Sequence, residues 1–333
     1  MADAQAANKS KDWKYYAVLV ARWGVAVIIL AFLVLYMVGQ WRELQQVQEW
    51  RVRWGYVAAS AGMLVLGYAG LFGIWQLSVH LLGGKAPLVP SLRAYFISQL
   101  AKYIPGKVMT VVTRAYALTD YVPAGLSVAA CVVEVLALCA SAAVVALACV
   151  PFVPQLAHDP RIRYIALGAP LGLALMHPRL IEWGLNLLAR TLKRRQVRIE
   201  VSYARLLLVP VVFVIPWLLL GAHIHLLCLG LSAGHPPFAL SVGANTVSWA
   251  GGFLLAFAPG GLGVREGMAA LMLSLAVPEP AAVAVALVSR VMLTACELLA
   301  TGILTWHHRR FVRATLAAAR EGDAARGGEG LAT

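Results

Sequence analysis

Two short runs hold most of the side chains in this chain that could do chemistry. The first is Ser98-Gln99-Leu100-Ala101-Lys102-Tyr103-Ile104-Pro105-Gly106-Lys107, continuing to Arg114. The second is Ala258-Pro259-Gly260-Gly261-Leu262-Gly263-Val264-Arg265-Glu266. Each carries a Pro-Gly break inside strongly apolar surroundings. After such a break a new half-helix starts, and its first N–H groups lack an intrahelical partner and carry the positive end of the helix dipole. Glycines at 260, 261 and 263 allow a ligand close to the backbone. Lys102, Lys107, Arg114 and Arg265 add full positive charge. Ser98, Gln99 and Tyr103 add neutral hydrogen-bonding groups. Together these features suit an anion, most simply a phosphate. The plainer alternatives are snorkelling of Lys102, Lys107 and Arg114 to a membrane interface and an interfacial pair of Arg265 with Glu266.

Three further charges lie deeper in apolar runs: Glu134, Arg290 and Glu297. Ionisable groups are expensive in lipid and read as functional or as paired. Glu297 is seven residues past Arg290 and so shares its helix face. Glu134 and Arg290 occupy matched positions after the two breaks. The expectation is that they meet as an ion pair, either structural or coupled to transport.

The surrounding chain is built for a membrane. Of 333 residues 61% are hydrophobic and 13% charged, and mean hydropathy is +0.75. A span takes about 20 apolar residues. Runs fit at about 16–38, 55–82, 125–152, 163–177 (shorter), 205–231 and 281–306. The broken segments cover about 91–119 and 239–276. Residues 179–195 space Leu180, Ile181, Leu185, Leu188 and Leu192 as an interfacial amphipathic helix. The net charge of +13 needs no nucleic acid, because Lys and Arg gather in cytoplasmic loops. The five cysteines sit in apolar runs without CxxC spacing and read as buried hydrophobes. His223 and His225 point to different helix faces, so no metal site is expected there.

Counting Lys and Arg decides the topology. If both broken segments are re-entrant, twenty lie inside and six outside. If both cross fully, the basic 190–198 loop falls outside. The expected fold is therefore all-α: a polytopic helical integral membrane protein with about 6 full spans plus two re-entrant broken helices. The expected organisation is a basic cytoplasmic leader at 1–14, a first half at 15–177, a cytoplasmic amphipathic linker at 178–204, a second half at 205–306, and a basic, disordered cytoplasmic tail at 307–333. The halves match in break, cation and intramembrane charge. Pro105 to Glu134 is 29 positions and Pro259 to Arg290 is 31. Paired broken helices of opposite entry are a transporter pattern, an inverted repeat.

These residues resemble a known family. Ala101 to Lys107 with Arg114, then Glu134, then Ala258 to Glu266 and Ser289-Arg290, are similar to the transmembrane region of lysylphosphatidylglycerol synthases. The likeness covers about residues 15–306. The same module occurs alone in flippase-like membrane proteins. It implies a lipid-translocating fold in a bacterial cytoplasmic (inner) membrane, with a phosphate-bearing lipid as substrate. Only a short tail follows residue 306, so the aminoacyl-transfer domain of the full synthases is not expected here. There is no D-x-D motif and no nucleotide-binding loop. The expectation is a transporter without enzyme activity or cofactor, and without a nucleic-acid partner. A homodimer, or a biosynthetic enzyme of envelope lipids, is a possible partner. The competing classes are a membrane-embedded transferase and a non-transporting subunit.

Overall fold

In a computed structural model, the structure describes Leu35 and residues 52–103, 108–154, 162–191, 193, 196–254 and 259–329. The side chains of 162–166, Pro259 and 308–329 lie outside that description. Apart from Leu35, the expected first span, 16–38, lies outside the described residues, as does the Pro105, Gly106 and Lys107 break.

The described residues form helices and no strand. They are α1 (Trp54–Leu81), α2 (Leu88–Ala101), α3 (Val108–Ala117), α4 (Ala124–Cys149), α5 (Ile162–Leu175), α6 (Pro178–Thr191), α7 (Tyr203–Leu206), α8 (Leu208–Val212), α9 (Val214–Gly230), α10 (Phe238–Leu254), α11 (Val264–Leu273) and α12 (Glu279–Glu329). Among the described residues four stretches are long and apolar enough to cross a membrane: Trp54–Leu81, Ala124–Phe152, Tyr203–Gly230 and Glu279–His307. Their outward faces are apolar, with Val65, Leu66, Leu218, Leu299 and Ile303 exposed. A soluble bundle would put charge there.

Local chemistry sets the boundaries. α1 stops at Gly83 (φ +87°), where Gly84 N–H reaches Val79 O and Gly83 N–H reaches His80 O, both at 2.9 Å. This is a Schellman cap, which needs the left-handed glycine. Proline marks the start of α2 (Pro87, Pro90), α4 (Pro123), α6 (Pro178), α10 (Pro237) and α12 (Pro278, Pro280). In each case the missing N–H is one the first turn does not use. Tyr203–Gly230 is one span broken at Leu207 and Phe213, three residues before Pro210 and Pro216. Each proline deprives the carbonyl four residues earlier of its partner.

Small residues let the helices approach. α1 and α9 run antiparallel: Gly67 faces Leu220, Gly70 faces Pro216 and Gly230 faces Val57. α5 lies along α4 with Gly168 at Ala143 and Gly172 at Ala140. A Cβ on Gly172 would meet the Ala140 Cβ at 2.9 Å and its Cα at 3.1 Å. Gly172→Leu is therefore expected to destabilise by about 1–3 kcal/mol through overpacking. Thermal unfolding of the purified protein in detergent checks this, and an unchanged midpoint would mean that α5 is not held at this contact.

Both broken segments double back. In the first, Arg114 of α3 bonds Ser98 of α2. In the second, Arg265 and Met268 of α11 lie against Gly252 and Gly251 of α10. Each is thus an antiparallel helical hairpin, whose tip among the described residues is Lys102 and Tyr103 in the first and Gly260 to Gly263 in the second. The hairpins exchange partners: α2 packs on α12, and α10 packs on α4. The other contacts also come in counterparts. α3 packs on α4 as α11 packs on α12, and α1 packs on α4 as α9 packs on α12.

Two expectations change. The 163–177 span appears as α5, whose 14 residues reach about 21 Å, short of a hydrocarbon core of about 30 Å. The tail from 307, expected to be disordered, continues α12 to Glu329, because its many alanines and arginines favour helix. The amphipathic helix of the linker is present as α6. Its Asn186 amide holds Val197 by two bonds, Val197 N–H to Oδ1 at 2.8 Å and Nδ2 to Val197 O at 3.0 Å. Glu182 accepts from Ile199 N–H at 3.1 Å. The chain after α6 is thereby tied back onto that helix.

Candidate functional site

The site lies where the two hairpin tips meet beside α12. Gly260 N–H donates to Lys102 O at 3.0 Å, joining one tip directly to the other. Gly260 has φ +61°, which a side-chain-bearing residue adopts only with strain. The Tyr103 ring packs against it, and Arg290 Nη2 donates to its carbonyl at 2.9 Å. Arg290 also lies over the Tyr103 ring, 5.6 Å from the centroid.

One face of α12 supplies the polar groups. Arg290, Thr294, Glu297 and Thr301 recur at helical spacing, and all are buried. Glu297 Oε1 accepts from both Lys102 Nζ and Tyr68 OH. Its Oε2 accepts from Tyr103 OH at 3.3 Å. Thr294 Oγ1 is 3.3 Å from the same phenol. A buried carboxylate is stable only when paired and hydrogen-bonded, and Glu297 is both.

Glu266, on the first turn of α11, meets Arg290 Nε at 2.9 Å. The angle falls short of a hydrogen bond. Both Glu266 oxygens and Arg290 Nε and Nη1 therefore keep unused hydrogen-bonding capacity among the described residues. Arg265 follows Gly263 (φ +80°), with its aliphatic stem over Gly252 and Gly261. Its electrostatic neighbours are Arg290, Tyr68, Glu266 and Glu297. Among the described residues it has no carboxylate of its own. The cluster thus holds three cations, Lys102, Arg265 and Arg290, against two carboxylates, Glu266 and Glu297.

The other expected residues divide sharply. Arg114 does not join this cluster. It pairs with Glu134 through Nη1, donates from Nε to Ser98 Oγ at 3.0 Å, and lies between Trp75 and Tyr95, with centroids at 4.9 and 4.6 Å. Such a filled, buried guanidinium clasps α3 to α2 and α4 and has little left for a ligand. Gln99 is partly exposed on the same turn as Ser98. The expected Glu134–Arg290 pair does not form. Glu134 takes Arg114 and Arg290 takes Glu266, so each acid–base pair closes within its own half. The two pairs are counterparts with reversed polarity: second hairpin arm to following span, Arg114 to Glu134 and Glu266 to Arg290.

Tyr68 and Thr294 were not singled out in the sequence, and His223 was weighed there only as a metal ligand. Thr294 was legible, midway between Arg290 and Glu297 on their face. Tyr68 carried no signal, being one tyrosine in an apolar span. His223 links three helices: Nδ1 is 2.7 Å from Ser60 Oγ on α1 and Nε2 is 2.9 Å from Ser289 Oγ on α12. Among the described residues no group of three His, Cys, Asp or Glu could hold a metal ion.

The apolar spans, the all-helical hairpin architecture and the buried charge cluster define a polytopic α-helical membrane protein. Residues 19–300 match the family model described as the lysylphosphatidylglycerol synthase transmembrane region. The chain belongs to that family. No curated protein matches it.

Proposed function

We propose that the protein is a lipid flippase that moves a phosphate-bearing lipid between leaflets of a bacterial cytoplasmic membrane. The observation that carries this is the extra cation, Arg265, at the junction of two hairpin tips. Arg265 is half-buried in apolar surroundings; a charge so placed without a counter-ion is costly, and an anionic ligand would supply one. The α11 N-terminus and the left-handed glycines at 260, 261 and 263 favour the same ligand. The doubled-back hairpins support reading both broken segments as re-entrant. The antiparallel α1 and α9, with the exchanged hairpins, support an inverted repeat. In this reading both termini are cytoplasmic, the hairpins open to opposite sides, and the chain carries out no covalent chemistry.

The test is leaflet exchange of fluorescent phospholipids in liposomes holding the purified protein. Arg265→Ala is expected to slow exchange at least tenfold while the protein still folds. Arg265→Lys should recover part of the rate if charge suffices, and none if a bidentate phosphate contact is required. Wild-type exchange in Arg265→Ala would remove this residue from the mechanism. A chemically altered lipid would point to a transferase, and neither outcome in the wild type would point to a non-transporting subunit.

A further inference from the structure

The two hairpins open in the same register. Pro87 and Pro237, 150 positions apart, precede α2 and α10, and their carbonyls accept from Ser91 N–H at 3.1 Å and Ser241 N–H at 3.3 Å. At the same offset Ser91, Tyr95, Ser98 and Lys102 correspond to Ser241, Asn245, Ser248 and Gly252. Each set recurs at i, i+4, i+7 and i+11, so it lines one face of its helix. The serines in third place are built alike: Ser98 Oγ donates to Tyr95 O at 2.6 Å, and Ser248 Oγ donates to Asn245 O at 3.0 Å. With its proton so placed, either hydroxyl can only accept from a further group.

The halves then differ. In the first, Arg114 Nε donates to Ser98 Oγ at 3.0 Å, and its guanidinium lies over the Tyr95 ring. In the second, the α11 arginine passes one turn away, with the Arg265 stem over Gly252. The first half's tyrosine is replaced by an amide. Asn245 is 7% exposed and Ser248 5%. Asn245 Nδ2 is buried without an acceptor among the described residues, a costly state for an amide donor. Ser91 and Ser241 both lack a partner there, so the halves are distinguished at 245 and 248. These two are neighbours three residues apart on the helix. Together they present one unused donor beside one hydroxyl that can only accept. An alcohol satisfies both at once. An ammonium has no lone pair for the amide, and an ionised phosphate has no proton for the serine. Four helical residues rise about 6 Å, so a group held here lies one turn from Gly252, where Arg265 passes.

We propose that Asn245 and Ser248 form a hydroxyl-binding subsite, which takes an alcohol group that the ligand carries next to its phosphate. This rests on reading the tip cluster as an anion site with Arg265 as its cation. The ligand class is a phosphodiester with a hydroxylated headgroup such as glycerol. Asn245 Nδ2 donates to the alcohol oxygen, and the alcohol proton is donated to Ser248 Oγ. A single water could meet the same two groups, but it would not make the protein prefer one ligand over another.

The experiment is calorimetric titration of the full-length protein in detergent with dihexanoyl-phosphatidylglycerol and with dihexanoyl-phosphatidylpropanol. Both carry one singly charged phosphodiester and a three-carbon headgroup, and only the first has headgroup hydroxyls. The wild type should prefer phosphatidylglycerol about tenfold, as two hydrogen bonds to otherwise unpaired groups would give. Asn245→Leu keeps the size of the side chain and removes the amide. Ser248→Ala removes the hydroxyl. Each should lose most of the preference. Ser248→Ala tests the subsite even if Asn245→Leu fails to fold, since Ser248 Oγ bonds a carbonyl of its own helix. Equal binding of the two lipids by the wild type overturns the subsite, gives the gap to water and leaves the anion site standing. A preference kept in full by either folded variant also overturns it. No binding of either lipid overturns the anion site and the subsite with it. Glycerophosphoglycerol carries the same headgroup without acyl chains. If it binds as well as the lipid, and Asn245→Leu weakens it, the subsite stands and belongs to a soluble polyol phosphate; weaker binding assigns it to the lipid.

Discussion

Arg114→Gln is expected to cost about 3–5 kcal/mol, the largest loss of any single polar substitution outside the tip cluster. It strands the Glu134 carboxylate in a buried position without its cation, the situation in which breaking a buried pair is most damaging. Glu134→Gln should be milder. The remaining guanidinium keeps its bond to Ser98 and its place over the Trp75 and Tyr95 rings, and cation–aromatic contacts of this kind retain about 1–2 kcal/mol when desolvated. The double variant Arg114→Gln/Glu134→Gln removes both charges together. It should be less impaired than the sum of the singles, with a coupling of about 0.5–3 kcal/mol. The matching cycle, Glu266→Gln with Arg290→Gln, should couple in the same way across the 2.9 Å contact. Glu134→Gln with Arg290→Gln should simply add, since those residues belong to different pairs. Thermal midpoints and folded yield in detergent report all three cycles. Coupling in the last cycle, or additivity in the first, would mean that the pairing described here is not what holds the hairpins.

Why the sequence led to the other pairing is instructive. Glu134 and Arg290 hold matched positions after the two breaks, are opposite in sign and lie deep in apolar spans, which the sequence alone reads as one pair. What the sequence pattern did not contain was how each hairpin folds. Once α3 doubles back on α2, Arg114 is carried to the level of Ser98 and reaches the following span within its own half. α11 does the same for Glu266. The hairpin geometry therefore decides the partner, and the correspondence between halves survives as two pairs of opposite polarity. The breaks, the flanking spans and the charged face of α12 were all readable, because proline, glycine and buried charge are rare in lipid and carry positional meaning. Tyr68 and Trp75 were not readable. An aromatic residue in an apolar span looks the same whether it faces lipid or a buried carboxylate. The continuation of α12 past residue 307 was hidden for a different reason: Ala, Arg and Glu serve a solvated helix as well as an unstructured tail.

On the proposed function, Gly260→Ala is expected to cut leaflet exchange at least tenfold through backbone geometry alone, with no charge removed. The residue sits at φ +61°, where a Cβ costs about 1–2 kcal/mol. That Cβ would lie 2.6 and 2.7 Å from two carbons of the Tyr103 ring. The ring cannot move aside freely, because Arg290 lies over it and its hydroxyl reaches Thr294 and Glu297. The tips must separate instead. Separation breaks the Gly260 N–H bond to Lys102 O and the Arg290 bond to Gly260 O, and it shifts Lys102 relative to Glu297. Overpacking and backbone strain together should lower stability by about 2–4 kcal/mol, while exchange should fall at least tenfold in the protein that remains folded. Adding Tyr103→Ala removes the obstructing ring and should restore much of the stability. It should not restore exchange, because the Tyr103 hydroxyl is lost from around Glu297. A Gly260→Ala protein with wild-type exchange would show that the tips need not touch during transport. Recovery of exchange in the double variant would show that the spacing of the tips matters and the phenol does not.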